Sequence, residues 1–253
     1  MSDSRWNKLD TLILVVGHAI YVAPDFSNPS HDDSWVLQRF QKGEPPSYLQ
    51  HIEVGVKLAE KEKSSLLVFS GGQTRADAGA HSEAGSYWLI AEHVVKWDDS
   101  VRSRSTTEDY ARDSFENLLF GICRFFECTA RFPEVVKVVS WKFKEARFDL
   151  HRKALRLPRC RFSFVGVNNP APDELARAEE GEQLAVAQFM DDPYGVRMAP
   201  PDAPPEQRRK YLGEKRRDRN PFKRQAPYPI SCPSLCELLT HRATTFFNGE
   251  LPW

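Results

Sequence analysis

The stretch from Leu66 to Glu83 constrains the fold most, because a short apolar run in it stops abruptly at two glycines. The run covers residues 66–69, and it is followed by Ser70, Gly71, Gly72, Gln73 and Thr74. An apolar run bounded by turn residues is typical of a strand buried on both faces of a parallel sheet. The glycines match neither the dinucleotide-binding fingerprint nor the phosphate-binding P-loop, so the turn serves either a ligand or backbone geometry alone.

Apolar runs and helical patterns alternate along the first two thirds of the chain. Further strands are predicted at 11–16, 135–139 and 161–167, and helices at 51–63, 82–93, 105–131 and 148–155. Ser105 and Glu108 have the spacing of a capping box, so the long helix is predicted to begin at Ser105. The alternation predicts an α/β fold with a layered, mostly parallel sheet and helices on both faces. Residues 22–47 are predicted to form a loop over a strand end, with a short helix at 35–40.

The composition changes after Pro172. Nine of the 18 prolines lie between Pro193 and Pro233, and basic residues exceed acidic ones from 206 to 224. We expect a sheet domain at 1–172 and a C-terminal part at 173–253, with a helix at 174–190, an extended Pro/Arg-rich arm and a last helix at 234–247. Aromatic residues are interleaved with the basic ones, which suits nucleic acid bound through Arg208–Arg224. The alternative is that these arginines pair with acidic residues of the sheet domain.

The remaining composition favours an ordinary globular protein. The formal net charge is +0, and no apolar stretch approaches the ~20 residues that cross a bilayer. We see no signal peptide, and we expect a soluble, cytoplasmic protein without a membrane anchor. The five cysteines are scattered, so free thiols and no metal site are predicted.

Five short motifs, taken in order, resemble the family called domain of unknown function 218, which includes the bacterial YdcF, SanA and ElyC proteins. The compact fungal branch is the most similar. The motifs are residues 15–19 after the first strand, 68–72 after the second, 82–84 at the next helix, Thr107–Glu108 with Glu116–Asn117, and 138–140 with Arg147. The resemblance spans about Leu12 to Val167. It implies a Rossmann-like fold with a polar pocket at the strand ends, and S-adenosylmethionine as one ligand, because a bacterial member is reported to bind it.

Topology and this resemblance together predict a crevice where the carboxyl ends of the strands meet. His18, Glu83 and Glu108 are the predicted acids and bases. The glycine turn and the helix start at Ser82 are predicted to offer backbone donors to an anion, with Arg147 pairing bidentately. The predicted ligand-binding residues are Gly17, Ser70, Gly71, Gly72, Gln73, Thr74, Ser82, Glu116, Asn117, Ser140, Lys142 and Arg147.

The function predicted from these residues is binding of a small polar anion, phosphorylated or nucleotide-like. If the protein is an enzyme, hydrolysis or group transfer is favoured over redox chemistry, because no dinucleotide fingerprint or metal cluster is visible. Two alternatives stay open from the sequence. One is a nucleic-acid-associated protein that acts through the basic arm, and the other is a non-catalytic interaction protein.

Overall fold

The computed structural model describes residues 6–253, so the first five residues of the predicted domain 1–172 lie outside it. The strands are β1 (Thr11–Val16), β2 (Ile20–Tyr21), β3 (Trp35–Val36), β4 (Ser65–Ser70), β5 (Ser105–Glu108), β6 (Val135–Ser140) and β7 (Phe162–Gly166). The helices are α1 (Pro45–Lys61), α2 (Glu83–Ile90), α3 (Asp99–Arg102), α4 (Ser114–Thr129), α5 (Glu145–Ala154), α6 (Pro172–Asp191), α7 (Pro205–Arg208), α8 (Leu212–Asp218), α9 (Tyr228–Ser231) and α10 (Cys236–Thr240).

Five parallel strands form the central sheet in the order β5, β4, β1, β6, β7. The chain builds the sheet outward from β1 on one side and then returns to build the other side. The strand order therefore reverses between β1 and β6, which is where open α/β sheets bind ligands, outside the carboxyl ends of the strands. The predicted α/β, Rossmann-like sheet is confirmed.

The central strands supply two apolar cores, one on each face of the sheet. Every residue of β1 and β4 is buried, which explains why their sequences are continuous rather than alternating. Leu12 and Leu14 pack toward α4 on one face, whereas Ile13 and Val15 pack toward α1 and α2 on the other. Helices on both faces are confirmed.

The segment from Ser105 to Glu108 corrects a prediction, because it is strand β5 and not the start of a helix. It pairs in parallel with β4 at the edge of the sheet, where its threonines are only partly buried. Helix α4 begins at Ser114, and the Asp113 side chain caps it by accepting from the Glu116 N–H at 2.9 Å. The capping-box spacing of Ser105 and Glu108 was a coincidence of sequence.

Three smaller differences concern lengths and boundaries. Residues 35–36 form β3, which pairs with β2, where a short helix was predicted. The predicted last helix, 234–247, is limited to α10 with one preceding turn. Helices α1 and α5 begin earlier than predicted, at Pro45 and Glu145.

The C-terminal part packs on the sheet domain. Phe189, Tyr194, Leu212, Tyr228 and Leu238 are buried in the same core cluster as the α4 side chains. The division at 172/173 stays a prediction. No helix among the described residues is long and apolar enough to cross a membrane.

Candidate functional site

The glycine turn after β4 is shaped around the side chain of Glu83. A Cβ atom on Gly17 would lie 2.7 Å from the Glu83 Cβ, and one on Gly71 would lie 2.6 Å from Glu83 Oε2. Gly71 also has a φ of 153°, which side chains rarely adopt. The hydroxyl of Thr74 donates to Glu83 Oε1. The turn therefore needs glycine so that a buried carboxyl group can lie against its backbone.

The backbone donors of this turn are used inside the protein. Gly71 N–H donates to the Glu108 carbonyl at 3.0 Å, and Gly72 N–H donates to the Ala111 carbonyl at 2.7 Å. At the start of α2, the N–H groups of Glu83 and Ala84 donate to the carbonyls of Gly72 and Gly71. These N–H groups therefore have acceptors within the protein, and anion binding by them stays a prediction.

Two more predicted ligand residues at this turn make internal contacts. Gln73 Nε2 donates to the Ala80 carbonyl at 2.6 Å. Ser82 Oγ accepts from the Gly85 N–H and donates to Asp109 Oδ1 at 2.5 Å, so it caps α2. Their polar groups hold the turn together.

Glu108 lies in a buried polar network that joins β4, β5, α4 and α9. Its Oε2 accepts from Ser70 Oγ at 2.6 Å, and its Oε1 accepts from the Tyr110 N–H and from the Tyr228 hydroxyl. Asn117 Nδ2 donates to the same serine. Burial raises the pKa of Glu108 to about 7, and the Ser70 hydrogen bond opposes that rise. Glu108 is 1% exposed and does not line the cavity described next.

A cavity of about 560 Å³ opens at the carboxyl ends of β1 and β6. This volume is in the range of small-molecule sites. Its walls come from the β1 end, the loop before α1, the β6–α5 connection, α6 and α8. Five predicted site residues line it: Gly17, His18, Glu83, Asn117 and Arg147. The others lie outside its lining: Ser70, Gly71, Gly72, Gln73, Thr74, Ser82, Glu108, Glu116, Ser140 and Lys142.

His18 follows the carboxyl end of β1 and is half-buried. Its Nε2 is 3.3 Å from Ser140 Oγ, and its Nδ1 is 3.5 Å from Lys144 Nζ. The ring packs near His51 and Trp141. Burial lowers the pKa of His18 well below its usual value, and the charge of Lys144 adds to this effect. The imidazole is therefore neutral near pH 7, the form that accepts a proton.

Cationic side chains dominate the polar lining. Arg75, Lys144, Lys215 and Arg219 line the cavity, and none has a carboxylate oxygen within 4.0 Å among the described residues. Their polar contacts are neutral: Arg75 donates to the Thr74 carbonyl, Lys215 to Gln188 Oε1 and Arg219 to the Arg112 carbonyl. The cavity lining as a whole holds eight lysine and arginine side chains and five acidic ones, so it has an excess of positive charge.

The other cavity cations have carboxylate partners. Arg216 and Arg112 form a buried network with Asp113 and Glu116, which accounts for Glu116 lying outside the lining. Arg147 Nη2 is 2.9 Å from Glu182 Oε2, but Arg147 Nε and Glu182 Oε1 are buried without a hydrogen-bond partner among the described residues. The bidentate pairing that arginine favours with carboxylates is therefore incomplete here.

Burial and nearby charges shift the pKa values of two further cavity residues, Lys144 and Glu83. Burial lowers the pKa of Lys144 to about 7, and Arg147 adds to this effect. Burial raises the pKa of Glu83, which Thr74 and Arg75 partly oppose. A lysine and a carboxyl group that both titrate closer to neutrality suit proton transfer. Among residues 6–253, no group of three or more His, Cys, Asp or Glu side chains is placed to hold a metal ion.

Lys144, Lys215 and Arg219 are functional candidates that sequence reasoning missed. Lys142 was predicted instead of Lys144, and the structure places Lys142 at the exposed surface. The i,i+3 spacing of Lys144 and Arg147 at a helix start was an available signal. The basic excess at 206–224 pointed to the arm as a nucleic-acid surface, but which of its residues reach the cavity depends on packing with distant segments.

The arginines of the arm make many contacts with the rest of the chain. Arg216 pairs with Asp113 at 2.5 Å, and Arg224 lies 4.3 Å from the ring centroid of Tyr110. Arg208 donates to the Ala203 carbonyl within the arm. Pairing with acidic residues of the sheet domain is thus observed for Arg216. Nucleic-acid binding through Arg208–Arg224 stays a prediction.

The fold and the cavity define a parallel α/β protein with a cationic cavity at the carboxyl ends of its central strands. The chain is similar to the uncharacterized protein YOR238W of Saccharomyces cerevisiae, with 27% identity over 276 residues, and the alignment covers 86% of each chain. No family model and no solved structure matches the chain. The resemblance to domain of unknown function 218 therefore stays a prediction.

Proposed function

We propose that the chain binds a small phosphorylated or nucleotide-like anion at the carboxyl ends of β1 and β6. The observation that carries this proposal is the cluster of lysines and arginines in the cavity that have no carboxylate oxygen within 4.0 Å in the part of the chain that the structure describes. Like charges in a partly dehydrated cavity repel one another, because water screens them poorly there. An anionic ligand relieves this repulsion and gains charge-assisted hydrogen bonds.

We further propose that the protein acts on this ligand as a hydrolase or transferase. His18, held neutral, serves as the general base that activates water or an acceptor hydroxyl. Glu83, whose pKa is raised by burial, serves as the proton donor to the leaving group. Lys144 lies beside His18 and stabilises negative charge that develops on the reacting group.

The charge of the cavity also bears on the choice between ligands. S-adenosylmethionine, which the family resemblance implies, carries a sulfonium, an ammonium and one carboxylate, so its net charge is positive. The cationic lining supports a phosphorylated anion over this ligand. Membership of the domain of unknown function 218 family and of its fungal branch belongs to the same proposal. The similarity to the yeast protein, which covers 86% of each chain, supports the fungal relationship.

A thermal-shift panel tests the binding step. Purified protein is screened with nucleotides, sugar phosphates, inorganic phosphate and S-adenosylmethionine. A ligand at a hundredfold excess over its dissociation constant stabilises the folded state by ~2.7 kcal/mol, which is a readable shift. We expect phosphorylated compounds to shift the transition, and the shift to be lost in Lys144→Gln. Stabilisation by S-adenosylmethionine alone would contradict the proposed ligand class.

A turnover assay on any phosphorylated hit tests the chemical step. His18→Asn and Glu83→Gln are expected to lower turnover by about 100-fold or more, the usual contribution of a general acid or base, while changing affinity only a few-fold. Lys142→Gln, outside the cavity, is the matched control and should retain full turnover. Unchanged turnover in both cavity variants would remove the assigned roles of His18 and Glu83.

A further inference from the structure

Four cationic side chains reach the cavity from two walls that are far apart in the sequence. Lys144 and Arg147 come from the start of α5. Lys215 and Arg219 come from α8 and the residue that follows it, within the C-terminal arm. Of these four, only Arg147 has a carboxylate within 4.0 Å among the described residues. The two walls therefore present positive charge to the same space.

The four charges act on one another across that space. Burial is the largest cause of the lowered pKa of Lys144, Arg147 and Lys215, and the charge of Arg219 lowers all three further. Arg147 has the same effect on both lysines. Interactions of this kind require the groups to be close and weakly screened. Nearby carboxylates, among them Glu182 and Asp113, offset part of this repulsion, and an anion between the walls would offset more of it.

One donor of the cluster is also unused. Arg147 has a side chain that is only 15% exposed, and its Nε is buried without a hydrogen-bond partner among the described residues. Glu182 Oε2 lies 2.9 Å from Arg147 Nη2, and Glu182 Oε1 has no hydrogen-bond partner among the described residues. A buried N–H without an acceptor costs free energy, so its presence beside a cavity indicates a missing acceptor.

We infer that, within the proposed function, the anionic part of the ligand is a doubly charged phosphoryl group held between the α5 wall and the α8 wall. A single carboxylate has one charge and two oxygens in a plane, so it would leave most of these donors unmatched. A terminal phosphoryl group carries a charge of about −1.5 to −2 near pH 7 and three acceptor oxygens that point in different directions. Contacts from both walls then make the C-terminal arm part of the ligand site.

Calorimetric titration with two simple probes tests this inference on the full chain. Pyrophosphate presents phosphoryl groups, and malonate presents two carboxylates. The double variant Lys215→Gln/Arg219→Gln removes the α8 wall. The matched control, Arg209→Gln/Lys210→Gln, removes the same charge from exposed positions of the same arm. We expect pyrophosphate to bind the unaltered protein at least tenfold more tightly than malonate. The first variant should weaken pyrophosphate at least 30-fold and the control less than twofold.

The outcomes separate this inference from the proposed function. Equal weakening in both double variants would mean a general charge effect and would overturn the inference. Pyrophosphate affinity that is unchanged in Lys215→Gln/Arg219→Gln would overturn it too, while leaving anion binding in place. If neither pyrophosphate, malonate nor a nucleotide binds the unaltered protein, the proposed function itself fails.

The melting temperature of the empty variant excludes a merely structural role. Removing mutually repelling charges should leave the melting temperature unchanged or raise it, whereas removing structural contacts should lower it. If the double variant does not fold, Lys215→Gln alone provides the test, because it loses only one hydrogen bond, to Gln188. We expect at least fivefold weaker pyrophosphate binding in that variant, and unchanged binding would overturn the inference.

Discussion

The turn after β4 differs from the α5 and α8 walls of the cavity in how far the protein satisfies its own polar groups. In the turn, the N–H groups of the two glycines and of the first two α2 residues have internal acceptors, and Glu83 accepts from Thr74 and fills the space that the glycines leave. In the α5 and α8 walls, three cations have no carboxylate within 4.0 Å among the described residues: Lys144, Lys215 and Arg219. A buried cation that lacks an internal carboxylate indicates an anionic ligand better than a glycine-rich turn does.

The difference has a thermodynamic consequence. A turn whose groups are paired contributes to folding, so changes there should act on stability first. Cations that repel one another reduce the stability of the empty protein, so changes there should act on binding first and can even stabilise the fold. The two regions are therefore expected to respond to substitution in opposite ways.

The largest effect is expected at the turn, for Gly71→Val. The new Cβ would lie 2.6 Å from Glu83 Oε2, and the φ of 153° disfavours a branched side chain. We expect a loss of about 4 kcal/mol or more in the free energy of unfolding, in the range that strained backbone and overpacking produce. Chemical denaturation measures this loss. Gly79→Ala is the control, since Gly79 has a strained backbone (φ 63°, ψ −143°) but open space, and should lose only about 2 kcal/mol. A stable Gly71→Val protein that no longer binds the anion would reverse our assignment of the turn.

A second large effect is expected for Glu108→Ala, which tests a residue predicted from the sequence to be catalytic. The change leaves the buried donors of Ser70, Tyr110 and Tyr228 without their acceptor. Unsatisfied buried donors and a cavity together cost about 3 kcal/mol. Denaturation should show this loss, while pyrophosphate affinity below the transition stays within twofold. Normal stability combined with lost turnover would restore the catalytic role of Glu108.

The contrast also separates what sequence patterns could predict from what they could not. Strands β1 and β4 are apolar runs because all their residues are buried in the sheet, and most of β6 is buried as well. Strand β7, at the edge beyond β6, is only partly buried. Strand β5, with the sequence Ser-Thr-Thr-Glu, pairs with β4 only, so its partly exposed threonines need not be apolar. It therefore has no apolar run, and its accidental capping-box spacing favoured a helix instead.

For the candidate site, the strand ends predicted a crevice at the carboxyl ends of the strands, and a cavity lies there, because parallel strands carry their carboxyl ends to one side. His18, Glu83 and Arg147 were placed at the cavity on that basis. Lys215 and Arg219 depend on how the arm folds back onto the sheet domain, and no local pattern encodes that path. The choice between Lys142 and Lys144 depends on a single turn of helix, residues 142–144, that precedes α5.

Lys144→Met is expected to raise the free energy of unfolding of the empty protein moderately, whereas the two preceding variants lower it. The pKa of Lys144 is about 7 in the folded state and about 10.4 in an unfolded chain, so folding must disfavour its charged form. This cost is complete below pH 7 and shrinks as pH rises toward 10. We therefore expect Lys144→Met to gain about 2 kcal/mol near pH 6, after allowance for solvent in the open cavity, and less at pH 9.

Denaturation of Lys144→Met and the unaltered protein at both pH values measures this gain. The groups that set the titration of Lys144 come from several elements, namely His18, Glu44, Arg147, Glu182 and Arg219. Lys142→Met at the exposed neighbouring position is the control and should show no pH-dependent difference. A loss of stability in Lys144→Met at pH 6 would mean that the lysine forms a stabilising ion pair in the folded state. That result would contradict the lack of a carboxylate partner on which the proposal depends.

The smallest effect is expected for Lys142→Gln. This variant is compared with Lys144→Gln, because the two lysines are only two residues apart. Lys142 is exposed and its stem packs over Gly166, contacts that glutamine retains. Surface changes of this kind alter stability by about 0.5 kcal/mol or less. Pyrophosphate affinity should stay within twofold in Lys142→Gln and fall at least tenfold in Lys144→Gln, as measured by calorimetry. Because both variants lose one positive charge from the same turn, equal losses would mean that net charge alone attracts the anion. A difference between them requires that the cavity itself selects which lysine takes part.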